Sequence, residues 1–369
     1  MINKKLKVGN VPNLRFPEFT EEWQSSRLAD TCEINPKNEG LPSSFVYIDL
    51  ESVENGRLLK EDFISKDGAP SRAQRVLSKN DVLFQMVRPY QKNNLFFDKE
   101  GKYVASTGYA QIRTKQNSRF IFQYLHNQKF VDNVIERCTG TSYPAINSTD
   151  LGNIKIGYPS LEEQTKIASF LSLIDERIQT QNKIIEQLET LIKGLCQKLI
   201  LNQVPNKKIN NCVSCYSSSL TESDIIDKNG IYPVYGATGV IAFTENSQIN
   251  EDAILIIKDG SGVGKVQYAS DKFSVIGTLN YLTVKQDVNL KYIFFCLKFF
   301  NFEKYKVGSG IPHIYFKDYG EAFIYCPSVE EQIKIERLLS SIDEKIKTEK
   351  TLLQKYEIKK RHLLQNLFI

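Results

Sequence analysis

The side chains best suited to chemistry in this sequence are basic, aromatic and amide groups gathered in short loops, and what they could do is recognise an anionic, planar partner. Ser71, Arg72, Gln74 and Arg75 form one cluster; Arg88, Tyr90, Gln91 and Lys92 form a second. Cations pair with phosphates, while guanidinium forks, amides and hydroxyls can meet base edges. A solvated charged loop is the competing reading of each cluster. Further along, Tyr235, Thr238, Lys258, Ser261 and Lys265 are the counterpart candidates. Two Gly-rich loops complete the set, one with Thr141, Ser142 and Tyr143 behind Gly140, the other with Ser309 and His313 behind Gly308.

Catalytic signals are thin. Residues 259–265, D-G-S-G-V-G-K, cluster glycines whose backbone N–H groups could approach a phosphate, with Lys265 supplying charge. The full phosphate-loop pattern needs Ser or Thr after the lysine, and Val266 stands there. A hairpin loop lying near a nucleic-acid backbone, a plain turn and an enzyme acting on phosphate through this loop stay open as readings. The three histidines, His126, His313 and His362, show no metal-ligand spacing and no neighbouring nucleophile. The chain has no N-P-P-Y or D-P-P-Y run to hold a target adenine and no Gly-rich cofactor turn after a first strand. Cys212 and Cys215 form a lone C-x-x-C, without the second pair that a zinc site requires.

The elements that must carry these loops are marked by a duplication. P-S-L-E-E-Q-T-K-I-A-S-F-L-S-L-I-D-E-R-I, starting at Pro159, returns without a gap as P-S-V-E-E-Q-I-K-I-E-R-L-L-S-S-I-D-E-K-I, starting at Pro327. Each copy opens as a helix start, Ser160 with Glu163 and Ser328 with Glu331 in the capping-box spacing. Behind the caps run heptad stripes: Ile167, Leu171, Ile174, Ile178, Ile185 and Leu188 in the first copy, Ile335, Leu339, Ile342, Ile346, Leu353 and Tyr356 in the second. Gln181, Glu349 and Lys360 interrupt them, and Lys360 predicts fraying toward the end of the second helix. So narrow a stripe is best buried by another helix of its kind. Two helices of about 60 Å therefore predict an antiparallel intramolecular coiled coil, with each helix packed separately on its own domain as the competing reading. At the same offset residues 140–159 align with 308–327, so the repeat is a whole domain-plus-helix unit whose domain interior has diverged.

The fold class expected is α+β: two mixed α/β domains separated by two long helices, with a pseudo-two-fold internal repeat. The boundaries read as a lead-in at 1–22, a first domain at 23–158, a first helical spacer at 159–202, a second domain at 203–327 and a second spacer at 328–369. Trp23, the sole tryptophan, is the expected anchor of the lead-in. Alternating apolar runs and turn signals predict strands in both domains. F-I-F-Q-Y-L-H-N-Q-K-F-V-D-N-V-I-E-R-C reads as one amphipathic helix in the first domain, and L-K-Y-I-F-F-C-L-K-F-F-N-F-E-K-Y-K as one in the second.

Composition narrows the class without deciding it. The chain is 41% hydrophobic and 25% charged, as globular proteins are. It has no apolar run of membrane-spanning length and no signal peptide at its start, so no membrane partner is expected. Seven cysteines without framework spacing predict reduced thiols and a cytoplasmic setting. A net charge of +5 is slight for 369 residues, so a nucleic-acid site must be a local cluster.

The paired P-S-[LV]-E-E-Q-x-K-I helices, each preceded by a G-[TS]-x-x-P loop and a variable domain, together with the L-R-F-P-E-F lead-in, resemble the specificity subunit of a type I restriction-modification system. That resemblance implies two target-recognition domains, each reading one half of a split target in double-stranded DNA. It implies helices that set the spacing and dock two methyltransferase subunits. It also implies that catalysis lies elsewhere: S-adenosylmethionine for adenine N6 methylation, and ATP and Mg for cleavage with two restriction subunits, belong to partners, and this chain holds no cofactor. A coiled-coil adaptor with two protein-binding domains is the alternative from another class.

Overall fold

The computed structural model describes residues 9–225 and 230–369, so the first eight residues of the lead-in lie outside the described residues. Contacts divide the chain into two compact units, residues 1–181 with 352–369, and residues 182–351.

The first unit opens with β1 (Gln24–Arg27), the one-turn helix α1 (Leu28–Thr31) and β2 (Cys32–Ile34). Then come β3 (Ser44–Ile48), β4 (Val53–Glu54), β5 (Arg57–Leu58), β6 (Phe63–Ser65) and β7 (Ala73–Val76). The strands β8 (Val82–Gln85), β9 (Leu95–Phe96), β10 (Tyr103–Ser106) and β11 (Tyr109–Thr114) complete two four-stranded sheets, ordered β6-β3-β10-β7 and β2-β11-β8-β9. β8 and β10 are buried along their whole length, which is why their sequences read as continuous runs and not as alternation. The helices α2 (Ser118–Tyr124), α3 (Gln128–Ile135) and α4 (Ser148–Gly152) follow, and β12 (Lys155–Tyr158) returns to pair antiparallel with β1. The long helix α5 (Leu161–Cys196) leads out and ends in a π-helical turn, Gln197–Leu201.

The second unit repeats this plan. It contains β13 (Lys207–Lys208), α6 (Ile209–Cys212), β14 (Val213–Ser217), β15 (Tyr232–Gly236) and β16 (Gly239–Thr244). β17 (Ala253–Ile257), β18 (Val266–Ala269), β19 (Ser274–Val275) and β20 (Leu279–Val284) come next, then α7 (Leu290–Lys298), α8 (Phe316–Tyr319), β21 (Phe323–Ile324) and the long helix α9 (Val329–Asn366). The order β14-β20-β17-β18 reproduces β2-β11-β8-β9 strand for strand. The parallel pair β15 with β19 reproduces β3 with β10, and β13 with β21 reproduces β1 with β12. The first unit adds β7 to the edge of the sheet that holds β3 and β10.

Within each unit the two long helices run antiparallel. In the first, Asp175 pairs with Lys360 at 2.5 Å, while Trp23 touches both Glu163 and Phe368, so one helix ascends as the other descends. In the second, Glu189 pairs with Lys350 at 2.5 Å and Cys196 lies in the field of Asp343. All twelve stripe residues, Ile167 to Leu188 and Ile335 to Tyr356, are buried or half-buried. Ile167 and Leu171 share a core with Leu363 and Leu367, and Ile192 and Cys196 share one with Ile335 and Leu339.

Three local expectations are corrected. The one amphipathic helix expected in the first domain is two, because Asn127 caps α3 by accepting from the Lys129 N–H at 2.8 Å while its amide donates to the Leu364 carbonyl at 2.6 Å. Its counterpart in the second domain ends at Lys298, and Asn301 turns the chain by accepting from the Glu303 N–H. The capping boxes are half made. Ser160 and Ser328 accept from the Glu163 and Glu331 N–H groups at 3.4 Å, but the glutamate side chains go elsewhere, Glu163 to Arg15 and Trp23, Glu331 to Tyr325.

Nor does Lys360 leave a frayed end in the helix. It and Asp175 are each about one-fifth exposed, and Asp175 also accepts from the Gln123 amide at 2.6 Å. The lead-in is anchored as Trp23 predicts: the ring is buried against Phe120 and Phe368, and Asn10 exchanges two hydrogen bonds with its backbone.

Candidate nucleic-acid interface

In the first domain the predicted loops converge at the end of β8. Buried Gln85 is their template: its amide donates to the Val87 carbonyl and to Gln91 Oε1, both at 2.8 Å, and its Oε1 accepts from the Asn93 N–H. Around it the chain folds into the 3-10 turn Pro89–Gln91, flanked by Arg88 and Lys92 at φ 54°, a left-handed conformation that non-glycine residues adopt only under constraint. The loop of residues 140–144 is closed by the bridge between Thr139 and Ala145 and joined to the first by Val87 pairing with Ala145. The Arg88 N–H donates to the Pro144 carbonyl at 2.8 Å, and the Arg88 guanidinium lies 4.2 Å above the Tyr143 ring. Gly140, at φ 89°, makes the closing turn; a Cβ there would lie 3.2 Å from the Tyr143 carbonyl oxygen.

Ser71, Arg72, Gln74 and Arg75 sit at and along β7, on the edge of the other sheet. One turn links them to the Arg88 loop. The Thr107 N–H donates to the Arg72 carbonyl, and the Gly108 carbonyl accepts from Met86, two residues before Arg88. Gln74 spends its amide on the Ser71 carbonyl. Arg75 is half-buried with Nε unpartnered, and burial lowers its pKa. Lys92 is also turned toward the protein. Its ammonium donates to Gln128 Oε1 at 2.8 Å and to the His126 carbonyl, and desolvation lowers its pKa.

The second domain builds the same junction from other residues. Asp259 bridges His313 where Val87 bridges Ala145, and the Gly260 N–H donates to the Pro312 carbonyl at 3.0 Å where Arg88 donates to Pro144. Gly308, at φ 92°, repeats Gly140. On this scaffold the side chains differ. His313 Nδ1 lies 2.7 Å from Asp259 Oδ1, and Ile311 stands at the tip where Tyr143 stands, 64% exposed against 65%. Lys258 reaches Ser217 Oγ at 3.4 Å, and Ser217 donates to Asn280. Ser261, Lys265 and Ser309 are exposed.

The 259–265 loop is a hairpin turn between β17 and β18 and does not present a phosphate cradle. The N–H groups of Gly260, Val263, Gly264 and Lys265 all donate to main-chain carbonyls. Tyr235 is half-buried against Phe273 at 5.7 Å, and burial raises its pKa; Thr238 is exposed on the turn between β15 and β16. Cys212 and Cys215 are free thiols, and among the described residues no group of three or more His, Cys, Asp or Glu is placed to hold a metal ion.

The sequence reading missed a pair of glutamines that join each domain to its long helix. Gln164 accepts from the Asn117 N–H at 3.1 Å and donates to the Pro159 carbonyl at 2.9 Å. Gln332 accepts from the Asn289 N–H and donates to the Pro327 carbonyl, both at 2.8 Å. Asn117 and Asn289 in turn cap α2 and α7. The signal was present in the recurring E-E-Q, whose third residue must do something that the capping glutamate does not. An exposed tyrosine ladder was missed as well: Tyr216 on β14 stacks on Tyr281 of β20 at 5.1 Å.

Residues 20–190 and 214–357 match the family profile of the type I restriction modification DNA specificity domain. The type I restriction enzyme MjaVIII specificity subunit of Methanocaldococcus jannaschii is 24% identical over 227 residues, 56% of this chain and 50% of that protein. This chain thus spans about half the length of that relative. The putative type I restriction enzyme MjaX specificity subunit of the same organism is 22% identical over 424 residues, covering 99% of this chain and 95% of its own. In fold, the type I restriction-modification system S subunit from M. genitalium aligns over 97% of this chain and 99% of its own, with a TM-score of 0.72 at 18% identity. One profile matched twice, once on each copy of an internally repeated fold, makes this chain a member of the type I restriction-modification DNA specificity family.

Proposed function

We propose that the chain is the sequence-reading, non-catalytic subunit of a type I restriction-modification complex in the cytoplasm. Each domain reads one half of a split target in double-stranded DNA. The long helices fix the number of unread base pairs between the halves and dock two methyltransferase subunits, which bring S-adenosylmethionine and methylate adenine at N6. Two restriction subunits, with ATP and Mg, add cleavage. Apart from those partners, this chain supplies only recognition and geometry.

One observation carries the reading. The two units keep the same strand order and the same bridged loops, yet put Arg88 and Tyr143 in one copy where Gly260 and Ile311 stand in the other. Constant backbone with exchanged loop side chains suits two readers of different sequences. Local cationic groups at those loops suit a polyanion whose backbone positions the protein while bases specify it.

The test is to delete one heptad from each of α5 and α9, which shortens each helix by about 10 Å. Sequencing of modified bases in the host should then show both half-sites unchanged and a spacer about three base pairs shorter, at about 3.4 Å per step. An unchanged spacer in a still-methylated motif contradicts the ruler role.

A further inference from the structure

The first domain holds eight arginines between residues 23 and 158, and the second domain, residues 203–327, holds none. Arginine is the side chain that most often specifies guanine, because its planar fork meets O6 and N7 together in the major groove. The two domains are therefore not equipped to read alike, and the place of each arginine decides which one reads.

Three of the eight are committed to partners within the fold. Arg113 is forked onto Asp81, donating through Nε and one terminal nitrogen at 2.8 Å each. Arg119 stacks on Phe96 with Asp98 nearby at 3.9 Å, and Arg137 donates to the Asn133 carbonyl. Arg88 differs from the rest in its loop position and its stacking. It stands on the bridged loop junction, held in the left-handed region and tied through its N–H to Pro144. Its guanidinium is stacked on the largely exposed Tyr143 ring, which limits the rotamers it must lose on binding. Its Nε is buried without a partner, as are Arg75 Nε and one terminal nitrogen of Arg57, and among the described residues no carboxylate pairs with it. A half-buried guanidinium with no anion is an incomplete arrangement, and an acceptor pair from a ligand completes it.

We infer that Arg88, stacked on Tyr143, specifies a guanine in the half-site read by the first domain. The inference rests on the DNA-reading role proposed above and assigns one of its contacts. The second domain offers no equivalent, since Gly260 and Ile311 occupy the corresponding places.

The experiment uses the full chain with its methyltransferase partners and a duplex carrying the host's methylated motif. Each guanine in turn is replaced by 7-deazaguanine, which lacks the N7 acceptor, and binding is followed by anisotropy at fixed salt. The expected result is one position, in one half-site only, at which the wild type loses about tenfold or more. At that position Arg88→Ala should be indifferent to the replacement, and Arg88→Lys should keep part of it; Trp23 fluorescence melts check that both variants fold. Motif preference with indifference at every guanine overturns the inference alone, as does Arg88→Ala that weakens binding yet keeps the 7-deaza effect. No preference for the motif over a scrambled duplex removes the reading role itself and the inference with it.

Discussion

Replacing Gln164 with leucine removes a joint of known composition. The side chain is fully buried. Its loss leaves the Asn117 N–H and the Pro159 carbonyl without their partner, and frees the Gln116 amide oxygen, which reaches solvent. A buried group left unsatisfied costs about 1–3 kcal/mol, so two cost about 2–6 kcal/mol, and leucine's apolar burial returns about 1–2 kcal/mol. At the midpoints of those ranges the net expectation is a loss of about 2–3 kcal/mol. Gln164→Glu should do no better, because a carboxylate can still accept from Asn117 but repels the Pro159 carbonyl and brings a buried charge. Gln116→Ala, which removes only a half-exposed partner, is the control and should cost under about 0.5 kcal/mol. The assay is urea unfolding followed by Trp23, which lies in the same unit and is the only tryptophan. A loss in Gln164→Leu no larger than in Gln116→Ala refutes the joint.

Three further outcomes follow from the same unit and its counterpart. Half-buried His126 has its pKa pushed down to about 4, by desolvation first and by Lys360 next. The unfolded chain takes up a proton near pH 6.5 that the folded chain refuses until about pH 4. Stability is therefore full above pH 6.5 and falls by up to about 3 kcal/mol as pH drops through that window; His126→Gln should flatten this part of the curve. Lys360→Met should cost about 1–3 kcal/mol by stranding Asp175, and adding Asp175→Leu should recover most of it in thermal melts. Gly308→Ala puts a Cβ 2.6 Å from the Ile311 carbonyl oxygen at φ 92°, against 3.2 Å for Gly140→Ala, so hydrogen exchange around residues 307–313 should rise more than around 139–145 in the matching variant.

Much of this architecture is legible because duplication writes it twice. The recurring E-E-Q-x-K-I and I-D-E segments disclose both helices, and heptad spacing discloses their seam. The bridged loops were equally visible as Gly140 and Gly308 at matching places. Tertiary partners were not. Lys360 looks like a flaw in a stripe until Asp175 is set opposite it. Lys92 looks like a surface cation until α3 supplies Gln128. Glu163 fits a capping box by spacing, and only the folded lead-in brings Arg15 to claim it. The short strands β1, β12, β13 and β21 carry too few residues for an alternating pattern, and their pairing is fixed by chain ends far apart in sequence.

The DNA-reading role is tested most simply by modified-base sequencing of the host genome with this chain intact and with it deleted. Deletion should erase one split N6-methyladenine motif and leave all others untouched. Survival of every split motif in the deletion strain, in a host whose intact chain binds its methyltransferase subunits, would contradict that role.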